Sequence, residues 1–475
     1  MSLFEDVLIV FSVVAFIYYA VLNCLYLLLT VLAWVGMTGE VRARRHIALD
    51  EVFRSPLTPG ISVLVPAFNE EAVIVESVRS LLALRYPRHE VVVVSDGSTD
   101  NTIDVLKEAF DIAPVRKALR DGMSTTPVRG TYVSRRDRRL VVVDKDNGGR
   151  SDALNVGLRA ARHPYVCVID ADSLLEADAL LKVSKPILDD PDVLAATGGT
   201  IRIANNCRVD HGRVVQARLP TKALPTVQVL EYLRAFLVGR VGWSRMNALG
   251  IISGAFGLFH RSLVETVGGY STETVGEDFE LTLRLHRYLH ERDEPYRIAF
   301  VSDPVCWTEV PDDLATLSRQ RRRWQRGLWE GLRRHQRMFL NPHYGVVGLV
   351  VIPYFAIFEF LSPVFALFGL LVTVLLWLMG VVSTSYILLF LAVSIGMGLL
   401  LTTAALSLEE LAFRRYGRSE MVRLLGYAVL ENFGYHQLHD IWRTIGYLDI
   451  ARGKKGWGEQ KRRGFAPTAD ETAAV

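Results

Sequence analysis

The 475-residue sequence is poor in cysteine and has almost no excess of either charge. Its four cysteines, Cys24, Cys167, Cys207 and Cys306, are widely spaced. No CxxC pair and no zinc-ligand spacing occurs, so neither a zinc module nor a disulfide framework is indicated. Cys24 lies in an apolar run and Cys167 in an apolar strand pattern, where buried free thiols are expected. A formal net charge of +3, from 54 basic and 51 acidic residues, is too small to argue for a nucleic-acid partner. There is no GxxxxGK[ST] loop and no GxGxxG fingerprint, which argues against an ATPase or a dinucleotide-dependent oxidoreductase. What is present is apolar: half the residues are hydrophobic, 22% are charged, and the mean hydropathy is +0.22. That composition excludes a mostly disordered chain. The apolar residues are concentrated in blocks, which excludes a wholly soluble single domain.

From Val7 to Val35 the sequence is almost uninterrupted in apolar and aromatic residues, more than the ~20 a bilayer span requires. Glu5 and Asp6 at its start, and its length, do not suit a cleaved signal peptide. The basic flank Arg42, Arg44, Arg45 and His46 belongs in the cytoplasm by the positive-inside rule, leaving the N-terminus outside. A second block, Gly345 to Leu408, is long enough for about two spans, with a turn near Gly380–Ser385. Charged residues from Glu409 to Arg418 then mark a return to the cytoplasm. A further span at 421–450 would carry the basic tail Lys454, Lys455 and Lys461–Arg463 outward, so that stretch reads as amphipathic, interfacial or re-entrant. Glu359 is the one costly residue of the second block: either a pathway residue or one paired with an Arg or Tyr of a neighbouring helix.

Between the blocks, short β-branched runs alternate with helical stretches. Strands are expected at 61–65, 90–94, 140–143 and 165–169, each followed by a helix. The pattern points to a parallel sheet covered on both faces, with ligands at the carboxyl ends of its strands. Acidic, amide and glycine residues follow every one of these strands.

Asp170-Ala-Asp172, read as the end of a strand, puts two carboxylates on one face, where Mg²⁺ or Mn²⁺ with substrate phosphates is a natural occupant. The competing reading is a helix cap by Asp172 or Ser173. Asp96 follows its strand directly, whereas Asp100 reads as an N-cap. Lys145-Asp-Asn147-Gly-Gly-Arg150 offers a flexible cationic loop suited to a phosphate or ribose. Thr274-x-x-Glu277 fits a capping box, which leaves Asp278 as a first-turn acid that periodicity alone does not make catalytic. In Gln320-Arg-Arg-Arg323-Trp324 the arginines suit either anionic lipid at an interface or a diphosphate clamp.

In combination, VPAFNE, SDGSTD, KDNGGRSDALN, DAD, SGAFGLFHR, GED and QRRRW, in that order from about residue 61 to 326, resemble the membrane-embedded, processive branch of glycosyltransferase family 2. Cellulose, hyaluronan, chitin-oligosaccharide and poly-N-acetylglucosamine synthases belong to that branch. The resemblance implies an α/β GT-A (Rossmann-like) cytoplasmic domain joined to transmembrane and interfacial helices, using a UDP-sugar with Mg²⁺ or Mn²⁺. With the apolar blocks, the expected domain limits are 1–41 for an N-terminal span, 42–310 for the transferase, 311–344 for amphipathic interface helices with the QRRRW motif, 345–408 for two spans and 409–475 for an amphipathic or re-entrant segment and a basic tail. The resemblance places Asp278 as catalytic base and Asp172, with Asp170, at the nucleotide–metal position. Asp96 and Lys145 fall at the uridine, Pro66, Ala67 and Glu70 on the donor side, and Ser253, Gly254 and Glu277 at the acceptor. Gln320, Arg323 and Trp324 would hold the diphosphate and the acceptor's terminal sugar. GED replaces the TED of several synthases, which keeps the base and removes a hydroxyl.

One metal aspartate and one separate base predict single displacement with inversion. The reading is a multi-pass protein of the plasma or inner membrane whose catalytic domain is cytoplasmic, extending and helping to translocate a β-linked glycan. Its expected partners are the donor, a glycan or lipid-linked acceptor, membrane lipid, and an accessory subunit or second copy. Two alternatives stay open: transfer of one sugar to a lipid, and an idle transport or partner subunit.

Overall fold

The structure, a computed structural model, describes residues 3–44, 53–116, 118–210, 212–454 and 456. The basic residues Arg45, His46, Lys455 and Lys461–Arg463 lie outside them. The chain divides into two compact units, one built mainly from 44–220 and 249–310, the other from 1–43, 221–248 and 311–458.

The first unit is an α/β domain of the expected GT-A-like kind. Its strands are β1 (Ile61–Ala67), β2 (His89–Asp96), β3 (Ile112–Pro114), β4 (Val128–Ser134), β5 (Leu140–Lys145), β6 (Tyr165–Ile169) and β7 (Ser173–Leu175), then β8 (Leu194–Ile203), β9 (Arg208–Asp210), β10 (Arg213–Gln216), β11 (Phe256–His260) and β12 (Arg297–Thr308). Ten of them form one sheet in the order β3-β4-β5-β2-β1-β6-β11-β8-β12-β7, and β9 and β10 pair separately. The valine-rich cores of β1, β2, β5 and β6 are fully buried, as β-branched runs covered on both faces should be. These four strands are parallel neighbours, so their carboxyl ends share one edge.

The sheet is mixed, however, not purely parallel. β11 runs antiparallel to both β6 and β8, β7 to β12, and β4 to β5. Strand β4 comes from the basic stretch 116–139, whose charges had masked any strand pattern. The reversal of β11 matters for function: Phe256 pairs with Ile169, which brings the 253–255 loop to the edge where β6 ends.

Helix Glu277–His290 is anchored beneath that edge by His286, which is fully buried. Its Nε2 lies 3.0 Å from the Leu249 carbonyl and its Nδ1 2.7 Å from the Tyr296 hydroxyl. A carbonyl only accepts, so the ring is the neutral Nε2–H tautomer and Tyr296 donates to Nδ1. Burial lowers the pKa of His286 from 6.5 to about 4. Since the unfolded chain binds the proton more readily, this contribution to stability is complete above pH 6.5 and is lost as the pH falls toward 4. Acidification from pH 7 to pH 5 is expected to cost about 2 kcal/mol through this residue. Thermal melts of His286→Gln at the two pH values check it, since the variant lacks that increment.

The second unit is helical. Two helices are long and apolar enough to cross a membrane, with windows at Val7–Val41 and Thr384–Ala412; Val347–Phe360 and Ser362–Leu378, bent by 45°, make a third if counted as one span. The turn expected near 380–385 separates Ser362–Leu378 from Thr384–Ala412. Stretch 421–450 forms two shorter helices, Arg418–Leu430 and Tyr435–Ala451. Glu359 is paired: Tyr354 donates to its Oε1 at 2.8 Å, and Arg443 lies 3.7 Å from Oε2. Cys167 is buried as expected, but Cys24 is exposed. It lies on an outward face of the long N-terminal helix, where an apolar run guarantees no burial.

Candidate active site

The polar loops along the shared strand edge are laced together. The turn after β1 and the turn after β2 brace each other. Thr99 N donates to Asn69 Oδ1 at 2.8 Å, Glu70 N to Thr102 Oγ1 at 2.9 Å, and Glu71 N to Asp100 Oδ2 at 3.1 Å. Asp100 also accepts from the backbone N of Thr102 at 3.0 Å, but it is not the N-cap that the sequence reading made it: the helix starts at Thr102 and its N-cap is Asn101. Pro66 and Ala67 end β1 beneath these turns. Gly97 has φ +72°, and a Cβ there would lie 2.6 Å from Asn147 N. Only glycine lets the second and third loops meet this closely.

Asp96 and Lys145 stand directly opposite each other in the β2–β5 register. Lys145 is therefore the last residue of a strand, not part of a flexible loop. Its ammonium is fully buried, paired with Asp96 and, at 2.7 Å, with Asp152. Asp96 also accepts from Gly148 N at 3.0 Å and Gly149 N at 2.7 Å. Asp152 accepts from Thr126 Oγ1 at 2.8 Å, tying in the segment before β4. The Lys145 charge is thus spent on two internal carboxylates.

Arg150 opens helix Arg150–Ala160 directly after Gly149. It donates to Asp170 Oδ1 at 2.7 Å, to the Gly254 carbonyl at 2.8 Å, and to Glu277 Oε1. Gly254 N in turn donates to Asp278 Oδ2 at 3.1 Å, while Phe279 N holds Oδ1 at 2.8 Å. A Cβ at Gly254 would sit 3.0 Å from the Arg150 guanidinium, tight enough that the guanidinium would have to give way slightly. Glu277 makes no capping box. The helix N-cap is Gly276 without a side-chain cap bond, and Thr274 Oγ1 accepts from Gly276 N instead. The Arg150 cation outcompetes a backbone N–H for the Glu277 carboxylate, because a buried ion pair compensates charges that a single cap bond leaves uncompensated.

Asp170 and Asp172 lie beyond the last residue of β6, in the turn before β7. They are therefore not consecutive strand positions. Nor does Asp172 or Ser173 cap a helix: Ser173 starts β7, and the next helix starts at Ala179. Asp172 is nine-tenths buried. Burial, then the charges of Asp170 and Glu309, raise its pKa well above the usual carboxylate range. Crowded carboxylate oxygens suit a hard divalent ion. No ready-made cage of three or more His, Cys, Asp or Glu occurs among the described residues, so substrate phosphates would have to complete the shell. The Arg150 charge acts on Asp172 and on Asp278, which makes these two carboxylates parts of one electrostatic cluster.

Gln320, Arg323 and Trp324 belong to the helical unit, on helix Leu314–Arg334. Trp324 is exposed. Arg321 donates to Glu231 at 2.6 Å and lies over the Trp324 ring; Arg322 pairs with Asp449 at 2.7 Å; Arg326 donates to the Lys454 carbonyl at 2.8 Å. These arginines bind protein groups, so the lipid-facing reading does not hold for them.

Sequence reasoning quoted Arg150 only as part of a loop and passed over Asp152 and Glu309. The available signal was an arginine at the first helical position after Gly-Gly, which a phosphate-loop reading absorbs without naming its partners.

Residues 59–327, more than half of the chain, match the family described as glycosyltransferase like family 2. The chain is 30% identical over 278 residues to a poly-beta-1,6-N-acetyl-D-glucosamine synthase of Staphylococcus aureus, and 28% identical over 277 residues to one of Staphylococcus epidermidis. Each match covers 58% of this chain and 56% of the relative, so the chain spans about half the length of the curated relatives it matches. Among solved structures it is similar to a mannosyltransferase from Pyrobaculum calidifontis in complex with GDP-Man and Mn²⁺. That match has 18% identity, covers 91% of this chain and 100% of the other, and has a TM-score of 0.49.

Proposed function

The chain belongs to glycosyltransferase-like family 2, and from this premise we propose that it transfers a sugar, with inversion, from a UDP-sugar to the end of a growing β-linked glycan at a membrane. In this reading Asp278 is the general base. It takes the proton from the acceptor hydroxyl as the oxygen attacks the anomeric carbon, and the bond from that carbon to the UDP oxygen breaks. Attack opposite the leaving group turns an α-linked donor into a β-linked product. UDP leaves as the anion.

Asp172 and Asp170 would hold Mg²⁺ or Mn²⁺, which when bound neutralises charge building up on the departing diphosphate. Pro66, Ala67, Glu70, Asp96 and Lys145 shape the nucleotide pocket, with Lys145 acting by fixing Asp96. Ser253, Gly254 and Glu277 line the acceptor side. Gln320, Arg323 and Trp324 supply the diphosphate and terminal-sugar contacts, the exposed indole offering a stacking face. Membrane embedding through the apolar helices, with the α/β unit in the cytoplasm, lets the product pass outward as it grows.

The observation that supports this most is the Arg150 junction, through which Asp170 is tied to Glu277 and to the Gly254–Asp278 pair. The likeness to poly-N-acetylglucosamine synthases makes UDP-N-acetylglucosamine the first donor to try. The test is purified protein in detergent with Mg²⁺ or Mn²⁺ and a panel of radiolabelled UDP-sugars, products being sized on a gel. A polymer ladder is expected. A glycolipid with one added sugar would replace processive synthesis by single transfer, and no UDP release with any donor would sink the enzyme reading.

A further inference from the structure

Trp324 has a stacking role in the scheme above, yet a surface indole is poorly fixed by itself. The residue is 43% exposed, and exposed side chains exchange rotamers within nanoseconds. Arg321 is what steadies it. Positions three apart on a helix are neighbours. On helix Leu314–Arg334 the guanidinium carbon of Arg321 lies over the Trp324 ring, 4.4 Å from its centroid.

Arg321 is itself held in place. It is 5% exposed, and its Nη2 donates to Glu231 Oε2 at 2.6 Å. Glu231 stands on a different helix of the same unit, Ala223–Leu233. The two contacts do not compete. A guanidinium donates to a carboxylate in its own plane and stacks on an aromatic ring through its flat face. An ammonium, a point charge without such a face, meets the first demand and not the second.

One face of the indole is thereby taken by a buried cation. A sugar ring stacking on Trp324 has the opposite face to use and meets it already oriented. Ordering a side chain before its ligand arrives removes that entropy cost from the binding step.

We propose that Arg321 is a positioning residue for sugar transfer: anchored by Glu231, it backs one face of the Trp324 indole and leaves the other as a fixed platform for the acceptor's terminal sugar. This rests on the proposed function.

The test uses the full chain in detergent and compares wild type, Arg321→Lys, Glu231→Gln, Trp324→Ala and the double variant Arg321→Lys with Trp324→Ala. Lysine keeps a positive charge for Glu231 but offers no planar face. Transfer is measured with UDP-N-acetylglucosamine, or the panel sugar transferred in its place, and a β-linked pentasaccharide of the same sugar as acceptor. Arg321→Lys is expected to raise the acceptor KM about fivefold, with kcat and UDP affinity within about twofold of wild type. Glu231→Gln should raise the acceptor KM too, by a smaller factor. In the Trp324→Ala background Arg321→Lys should change the acceptor KM no further, because it acts through the indole.

A second readout needs no turnover. With fluorotryptophan incorporated and Trp324→Phe marking its signal, the fluorine resonance of Trp324 should shift in Arg321→Lys. An unmoved resonance overturns the inference, as does an undiminished Arg321→Lys effect without the indole. Loss of UDP affinity in Arg321→Lys also overturns it, since that marks a diphosphate contact or a merely structural arginine. Wild type that releases no UDP with any donor overturns the proposed function and this inference with it; wild type that transfers while Arg321→Lys keeps its acceptor KM overturns the inference alone.

Discussion

Asp278→Asn is expected to lower kcat for sugar transfer by about 10³-fold, within the range a positioned general base contributes, while UDP affinity stays within about threefold. The substitution is nearly isosteric. Asp278 receives one hydrogen bond from Gly254 N and one from Phe279 N, and an asparagine oxygen preserves one of them. What is lost is proton affinity, since an amide oxygen cannot remove a proton from an alcohol. In the proposed function donor binding depends on other residues, chiefly those around Asp96 and Asp172, so it should survive. Titration calorimetry with UDP and a radiolabel transfer assay on the same preparation separate the two effects. A variant retaining more than a tenth of the wild-type rate would remove Asp278 from the role of base.

Lys145→Met should destabilise the α/β unit by about 3–5 kcal/mol, the range for breaking a buried ion pair by removing one partner. The methionine fills most of the lysine volume, so the cost is electrostatic rather than a cavity. Asp96 and Asp152 would be left facing each other inside the protein with no cation, their side chains 5% and 6% exposed. Asp96 would keep the Gly148 and Gly149 amides, which moderates the loss without cancelling it. A drop in thermal midpoint of roughly 10 °C is anticipated. Adding Asp152→Asn should recover part of it, because one uncompensated anion is removed. A Lys145→Met midpoint equal to wild type would mean that the buried ammonium carries no net charge-balancing role.

Much of the framework was legible from residue order. The strands at 61–67, 89–96, 140–145 and 165–169 show as β-branched runs because they are buried on both faces and tolerate little else. The apolar helices are legible for a similar reason, since a bilayer demands length and apolarity that no other context requires. The motifs also picked out the strand ends at which the polar loops gather. Local pattern failed where one residue type serves two environments. Lys145 reads as a loop cation in sequence, and only the β2–β5 pairing shows it beside Asp96. Thr274 and Glu277 have the spacing of a capping box, yet Arg150 claims the glutamate from 127 residues away. The arginines of the QRRRW stretch suited lipid until their protein partners Glu231 and Asp449 were known.

The linear order of residues was sufficient for the family, the alternation of strand and helix, the apolar helices and the set of carboxylates from which a site must be chosen. Each follows from local composition, which burial and backbone geometry constrain within a few residues. The folded chain alone decided which charges are spent on which partners: Lys145 committed inward, Arg150 bridging Asp170 to Glu277, and Asp172 crowded by Asp170 and Glu309. The physical reason is that a charge is neutralised by whatever lies within a few ångströms. The antiparallel return of β11 and the register of β2 against β5 set those distances between residues far apart in the chain.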